Sequence, residues 1–132
     1  MAASQQTSAA FVGASWLALI TGVAMYGIGL FNATMALNEK GYYLTLLLYG
    51  LFAAISLQKS TRDRMEGMPV TSMYFGLCWL SVVAAVGLLT VGLFNATLAP
   101  SEKGFYAMSF VLSLFAAVTV QKNVRDAAQV AA

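Results

Sequence analysis

Histidine is absent from all 132 residues. That removes the commonest general base and the commonest metal ligand together. Cysteine occurs once, as Cys78 inside an apolar run, so no intrachain disulfide forms and the redox compartment leaves no mark. Charge is also scarce, at 9% of residues, against about a quarter in a soluble domain. Seven basic and five acidic side chains could not cover the surface of a 14.0 kDa water-soluble globule. With 60% apolar residues and a mean hydropathy of +0.76, lipid is the expected solvent for most of the surface. The net charge of +2 is small and the cations form no stripe that could follow phosphates, which excludes nucleic acid as a partner.

What is present is a duplication. Gly27–Asp63 returns as Thr90–Asp126 at a constant offset of 63 without a gap, and 19 of the 37 aligned positions are identical. Trp16-Leu17 and Trp79-Leu80 obey the same offset, so the unit begins well upstream of the obvious match. Each copy holds two apolar runs: Ala9–Phe31 and Gly41–Leu57, then Tyr74–Phe94 and Gly104–Val120. A bilayer core of about 30 Å needs roughly 20 helical residues. The first and third runs meet that length. The second and fourth are short, but Gln-Lys at their ends can snorkel to the interface. The expected fold is all-α: a polytopic membrane protein with four transmembrane helices as two tandem, co-oriented helical hairpins. Residues 1–64 form the first two-helix repeat, 65–73 a cytoplasmic linker marked by Gly67-Met68-Pro69, and 74–132 the second repeat. No Lys or Arg precedes the first run, and that run exceeds a typical signal-peptide core, so it is read as a retained span.

Local chemistry places the helix ends. Asn38 and Ser101 are expected N-caps of the second and fourth spans, with Glu39 and Glu102 in the first turn, where the helix dipole favours an anion. Pro100 is expected to stop the third span. Lys59–Asp63 and Lys122–Asp126 have i,i+4 spacing, so both helices should run one polar turn past the membrane. Lys59, Arg62, Arg64, Lys122 and Arg125 collect on one side, against Lys40 and Lys103 on the other. The positive-inside rule then puts both termini and the linker in the cytoplasm.

Few residues could carry chemistry. Asn32 and Asn95, in the repeated Gly-Leu-Phe-Asn-Ala-Thr, form a candidate polar pair in the membrane. They serve helix packing or capping, or else line a narrow pathway near the pseudo-twofold axis. Glu39, Lys40, Glu102 and Lys103 are the only outer-side charges; cap chemistry and ion pairing explain them, a gate being the alternative. Gln58, Lys59, Arg62, Gln121, Lys122 and Arg125 read as cytoplasmic interface anchors, with lipid-headgroup contact as the alternative. Small residues suggest close helix packing: Ala10, Ala14, Ala18 and Gly22 on the first span, Gly50 and Ala54 on the second, Ser113 and Ala117 on the fourth. Tyr42, Tyr43, Phe105 and Tyr106 read as an outer aromatic belt, and Trp16 and Trp79 as an inner belt or packing residues. The seven methionines have no spacing that suggests copper binding. No acid lies mid-span to relay protons, and no nucleophile–base pair, phosphate loop or metal-ligand cluster occurs. No metal site, cofactor or enzymatic activity is therefore expected.

The signature GLFNA…EKGYY…LFAAISLQKSTRD, echoed as GLFNA…EKGFY…LFAAVTVQKNVRD, resembles the YiaA/YiaB family of bacterial inner-membrane proteins across about residues 11–126. Neither copy departs from the family's pattern apart from Pro100-Ser101 replacing Leu37-Asn38. The resemblance implies a small multi-pass protein of the bacterial inner (cytoplasmic) membrane and brings no established catalytic or ligand-binding residues. The leading reading is a structural or accessory protein acting through helix–helix contacts, as a homo-oligomer or beside a membrane-protein partner in the lipid bilayer. The alternative is a small transporter or channel along the pseudo-axis.

Overall fold

The computed structural model describes residues 7–131 as four helices: α1 Ala9–Asn32, α2 Leu37–Met65, α3 Ser72–Asn95 and α4 Pro100–Ala131. Each is long and apolar enough to cross a membrane. The four expected spans all appear, and α2 and α4 extend well beyond their apolar runs at both ends. The extension toward the linker and the C-terminus carries the Lys59–Asp63 and Lys122–Asp126 pairs, at 2.8 and 2.9 Å.

The copies begin alike. Ser8 and Thr71, 63 residues apart, cap α1 and α3 by accepting the N–H groups of Phe11 and Tyr74. The ends of α2 and α4 at the short loops differ from expectation. Asn38 and Ser101 lie inside their helices; the cap positions are Ala36, before α2, and Ala99, before Pro100. With no polar side chain at the cap itself, Glu39 and Glu102 reach back to accept the N–H groups of Ala36 and Ala99. This is the acidic half of a capping box. Pro100 is the first residue of α4, where its missing N–H costs nothing. It does not terminate α3, which ends five residues earlier at Asn95. After α2, Gly67 at φ +80° lets the N–H groups of Gly67 and Met68 bond back to Arg64 and Asp63, closing the helix in a Schellman turn.

Packing does not follow the hairpins. α1 lies along α4, α3 lies along α2, and α2 and α4 meet between them; the two helices of one copy touch only slightly, and α1 and α3 do not touch. Each copy is a hairpin by connection, yet its first helix packs on the second helix of the other copy. The pseudo-twofold axis runs between α2 and α4. Tyr43 and its repeat mate Tyr106 stack there with centroids 6.2 Å apart and planes 16° from parallel. Tyr26 is fully buried beside them, donating its hydroxyl to the Tyr43 carbonyl at 2.8 Å. Burial of Tyr43 and Tyr106 corrects the belt reading: these rings form core, with Phe110, Leu46, Leu47 and Leu89. Trp16 and Trp79 face outward instead, about half exposed.

Small residues permit the close contacts, at a spacing other than the one expected on α1. Ala14 is exposed and Ala18 half-buried. The residues of α1 against α4 are Ser15, Gly22 and Gly29, seven apart. Ser15 accepts from Asn123 at 3.2 Å, Gly22 faces Ser113, and Gly29 faces the Phe105 ring. Gly92 repeats the last arrangement against Tyr42, whose hydroxyl donates to the Leu88 carbonyl at 2.6 Å. Gly50, Ala54, Ser113 and Ala117 are all buried, and Gly50 faces the Phe110 ring.

A Cβ added to Gly22 would stand 2.7 Å from Ser113 Oγ and 3.0 Å from its backbone nitrogen, which cannot swing away. Gly22→Val should therefore weaken the fold by about 1–3 kcal/mol. Gly13→Ala, where nothing lies within 4 Å, should not weaken it. Reversible unfolding in mixed micelles compares the two.

Candidate functional site

The recurrent polar residues occupy the two ends of the helix pairs. At the loop end, Lys40 donates to the Phe31 carbonyl at 3.1 Å, and Lys103 repeats this on Phe94 at 3.5 Å. Each lysine thus meets the open carbonyls, and the negative dipole end, of the preceding helix in its own copy. Asn32 and Asn95 are exposed and donate back one turn, to the Ile28 and Val91 carbonyls at 3.0 and 2.9 Å. They sit on helices that do not touch, so the structure does not bring the two amides together. Asn32, with Gly29, Glu102 and Phe105, lines a shallow cavity of about 340 Å³.

At the opposite end the copies are joined by charge. The QKxxRD segments form the last turns of the α2 extension and the matching turns of α4. Arg62 of the first copy pairs with Asp126 of the second, and Arg125 pairs with Asp63 at 2.7 Å. Both are the same Arg–Asp pair read across the pseudo-axis. Lys59 and Lys122 each brace the aspartate of their own copy. Glu66, past the end of α2, accepts from Arg62 at 2.9 Å and from Arg125 at 3.0 Å. Gln129, its mate at the 63-residue offset, donates to Glu66 at 3.2 Å and accepts from Arg62 at 3.0 Å. The Arg62 guanidinium, with Gln129 and Arg125 beside it, holds the Glu66 carboxyl below its ordinary range. Arg64 stands apart, stacked 4.0 Å over the Phe75 ring, and so ties the end of α2 to the start of α3.

Gln58 and Gln121 are half-buried one turn below this cluster, and the Gln58 Oε1 is enclosed without a partner. Lys59 and Lys122 keep more than half of their side-chain surface exposed. The arginines are different: only 19% and 14% of their side-chain surface is open. Arg62 and Arg125 therefore fasten the copies to each other, beyond any role at the membrane surface. Asp63, Asp126, Glu66 and Gln129 belong to this cluster and were not among the candidates read from sequence. The adjacent Arg-Asp recurring in both copies was the available signal. Among the described residues, no three His, Cys, Asp or Glu side chains gather into a group that could hold a metal.

Ion pairs with this much cover should couple measurably. Arg62→Ala and Asp126→Ala, alone and together, should give a coupling energy on the order of 1 kcal/mol in a double-mutant cycle. Lys59→Ala, at an exposed partner, should cost less. Because the folded pKa of Glu66 is depressed, its contribution is present above its ordinary value of about 4.5 and is lost as pH falls through the folded value. Unfolding followed between pH 7 and pH 3 checks the sign, and Glu66→Gln should flatten that part of the profile.

The yiaA/B two helix domain family matches residues 11–63 and again 74–126. The inner membrane protein YiaA of Escherichia coli strain K12 is 57% identical over 120 residues, covering 91% of this chain and 83% of that protein. The uncharacterized membrane protein YubF of Bacillus subtilis strain 168 is 38% identical over 63 residues, 47% of this chain and 72% of its own length. The inner membrane protein YiaB of E. coli K12 is 26% identical over 102 residues, 75% of this chain and 84% of that protein. No solved structure matches. Two matched domains, four apolar helices and this identity agree: the chain is a multi-pass inner-membrane protein and belongs to the YiaA/YiaB family.

Proposed function

We propose that this protein is a non-catalytic, structural or accessory component of the bacterial inner membrane, acting through helix contacts with further copies of itself or with a larger membrane partner. The observation that carries this reading is the filled pseudo-axis. A pathway between α2 and α4 would have to pass the Tyr43–Tyr106 stack and the buried ring of Phe110. The charged residues that recur in both copies hold helix ends or join the copies. Asn32 and Asn95, the candidate lining of a pathway, lie on helices that do not meet. Large apolar side chains such as Leu17, Ile20, Leu80 and Val83 remain outward on α1 and α3, free for lipid or another helix.

Ala14 offers a clean test, because it is exposed on α1 and clear of the α4 contact. Mass measurement of the protein in native-membrane discs should find more than one copy, or a co-purifying partner. Ala14→Leu should reduce that association at least severalfold while leaving the unfolding midpoint unchanged. Monomers without a partner would defeat the proposal, as would proteoliposome flux that depends on Asn32 and Asn95.

The same reading places the linker and the described C-terminal helix end in the cytoplasm, since five of the seven cations gather there. Pairing with acids does not weaken this, because the rule counts Lys and Arg and not net charge. A cysteine placed at Met68, in a background with Cys78→Ala, should resist a membrane-impermeant maleimide in intact cells and react after lysis. A cysteine at Thr34 should react in intact cells.

A further inference from the structure

α3 and α4 diverge, and between them α2 forms the floor of a groove of about 1190 Å³. We infer that this groove holds one zwitterionic phospholipid with a primary ammonium headgroup, its acyl chain between α3 and α4 and its headgroup on the ion cluster. This inference is independent of whether the chain associates with a partner.

Size argues first. The volume, about 1190 Å³, lies somewhat above the roughly 300–1,000 Å³ of sites for drug-sized ligands. That is room for one lipid-sized amphipathic molecule.

Polarity argues next. Along α4 the lining runs Ala107, Val111, Leu114, Phe115 and Val118, with helical spacing on one face, and Val82 and Val86 oppose it from α3. Ala107 to Val118 covers about 16 Å at 1.5 Å per residue, close to one leaflet, half of a core about 30 Å thick. Val86, Val111 and Phe115 remain exposed, so the wall is open sideways to lipid. Beyond Val118 the lining becomes mostly polar, with Gln58, Thr61, Arg62, Lys122, Glu66 and Asp126 beside Met65 and Val130.

Charge selects the headgroup. Of the cluster's charges, the groove lining itself presents two cations, Arg62 and Lys122, and two carboxylates, Glu66 and Asp126. Each sign is locally available to a headgroup that carries both. Lys122 is half exposed and spends one of its three donors on Asp126, leaving donors for a phosphate. The carboxylates of Glu66 and Asp126 have lone pairs beyond their present bonds for ammonium N–H groups. A quaternary ammonium has no such hydrogens, so a primary amine is preferred.

The test uses the full chain in nanodiscs of equal phosphatidylethanolamine and phosphatidylglycerol, released into the gas phase and weighed with its retained lipid. The expected result is one phosphatidylethanolamine per chain, reduced at least fivefold by Val118→Trp, which fills the groove, and reduced by Lys122→Ala. Leu17→Trp, on the outward face of α1, should leave retention unchanged. Preferential retention of phosphatidylglycerol, no retained lipid, or equal retention by Val118→Trp would each overturn the inference. Should Val118→Trp not fold, the wild-type chain decides with a phosphatidylethanolamine bearing a photoreactive acyl chain. Crosslinks concentrated on Val82–Val86 and Val111–Val118 support the groove; crosslinks spread along Leu17 and Ile20 reject it.

Discussion

Two helices joined by a four-residue loop would ordinarily be expected to pack on each other. Here the exchange between copies governs the structure instead: α1 is completed by α4, and α3 by α2. Burial of Tyr26, Tyr43, Tyr106 and Phe110 depends on both copies, as do the Arg62–Asp126 and Arg125–Asp63 pairs. In a bilayer the lipid is as apolar as the side chains, so helix association must come from close packing and interhelical polar contacts. Those are the contacts found between copies: Gly22 on Ser113, Gly29 on Phe105, Gly92 on Tyr42, Ser15 with Asn123. One copy alone would present these faces to lipid and leave its arginine and its aspartate without their partners across the axis.

The same exchange explains why the polar residues are sparse and repeated. At the loop end each copy closes its own helix ends, with Lys40 and Lys103 on carbonyls and Glu39 and Glu102 on N–H groups. At the charged end the copies close each other. The loop end is therefore local and the charged end is shared. Among the described residues, two enclosed side-chain atoms lack a partner, Gln58 Oε1 and Asn123 Oδ1, and both lie toward the charged end.

The spans, their order and their co-orientation were legible in the sequence because bilayer thickness acts on length and apolarity alone. The α2 and α4 extensions were legible from the Lys–Asp spacing. The partner of each helix was not. An exchanged arrangement and a simple pair of hairpins have the same hydropathy and the same caps. The α1 stripe was misplaced for a related reason. In an Ala/Gly-rich helix a four-residue spacing through Ala14 and Ala18 and a seven-residue spacing through Ser15, Gly22 and Gly29 look equally good. Only the position of α4 separates them. Tyr43 and Tyr106 read as belt residues because they flank a loop, whereas the opposing helix covers them. The Arg-Asp repeat was visible, but a helix surface offers i,i+4 partners first, and a partner on the other copy leaves no spacing to find.

Joining two copies in one chain also permits differences that two separate identical copies could not have. Glu66 occupies the position that Gln129 occupies in the second copy, and the two side chains meet at 3.2 Å. A symmetric pair would put two carboxylates there, repelling each other, or two amides, leaving Arg62 and Arg125 short of one acceptor charge. The mixed pair avoids both: Glu66 takes both guanidiniums, while the Gln129 amide donates to the carboxylate and accepts from Arg62. Tyr42 and Phe105 show the same freedom, since only Tyr42 uses a hydroxyl to bond a neighbouring helix. The duplication supplies the symmetry of the fold. Its departures, at Glu66/Gln129 and Tyr42/Phe105, tune each side of the axis separately, and the α3–α4 groove opens beside the acid of the mixed pair.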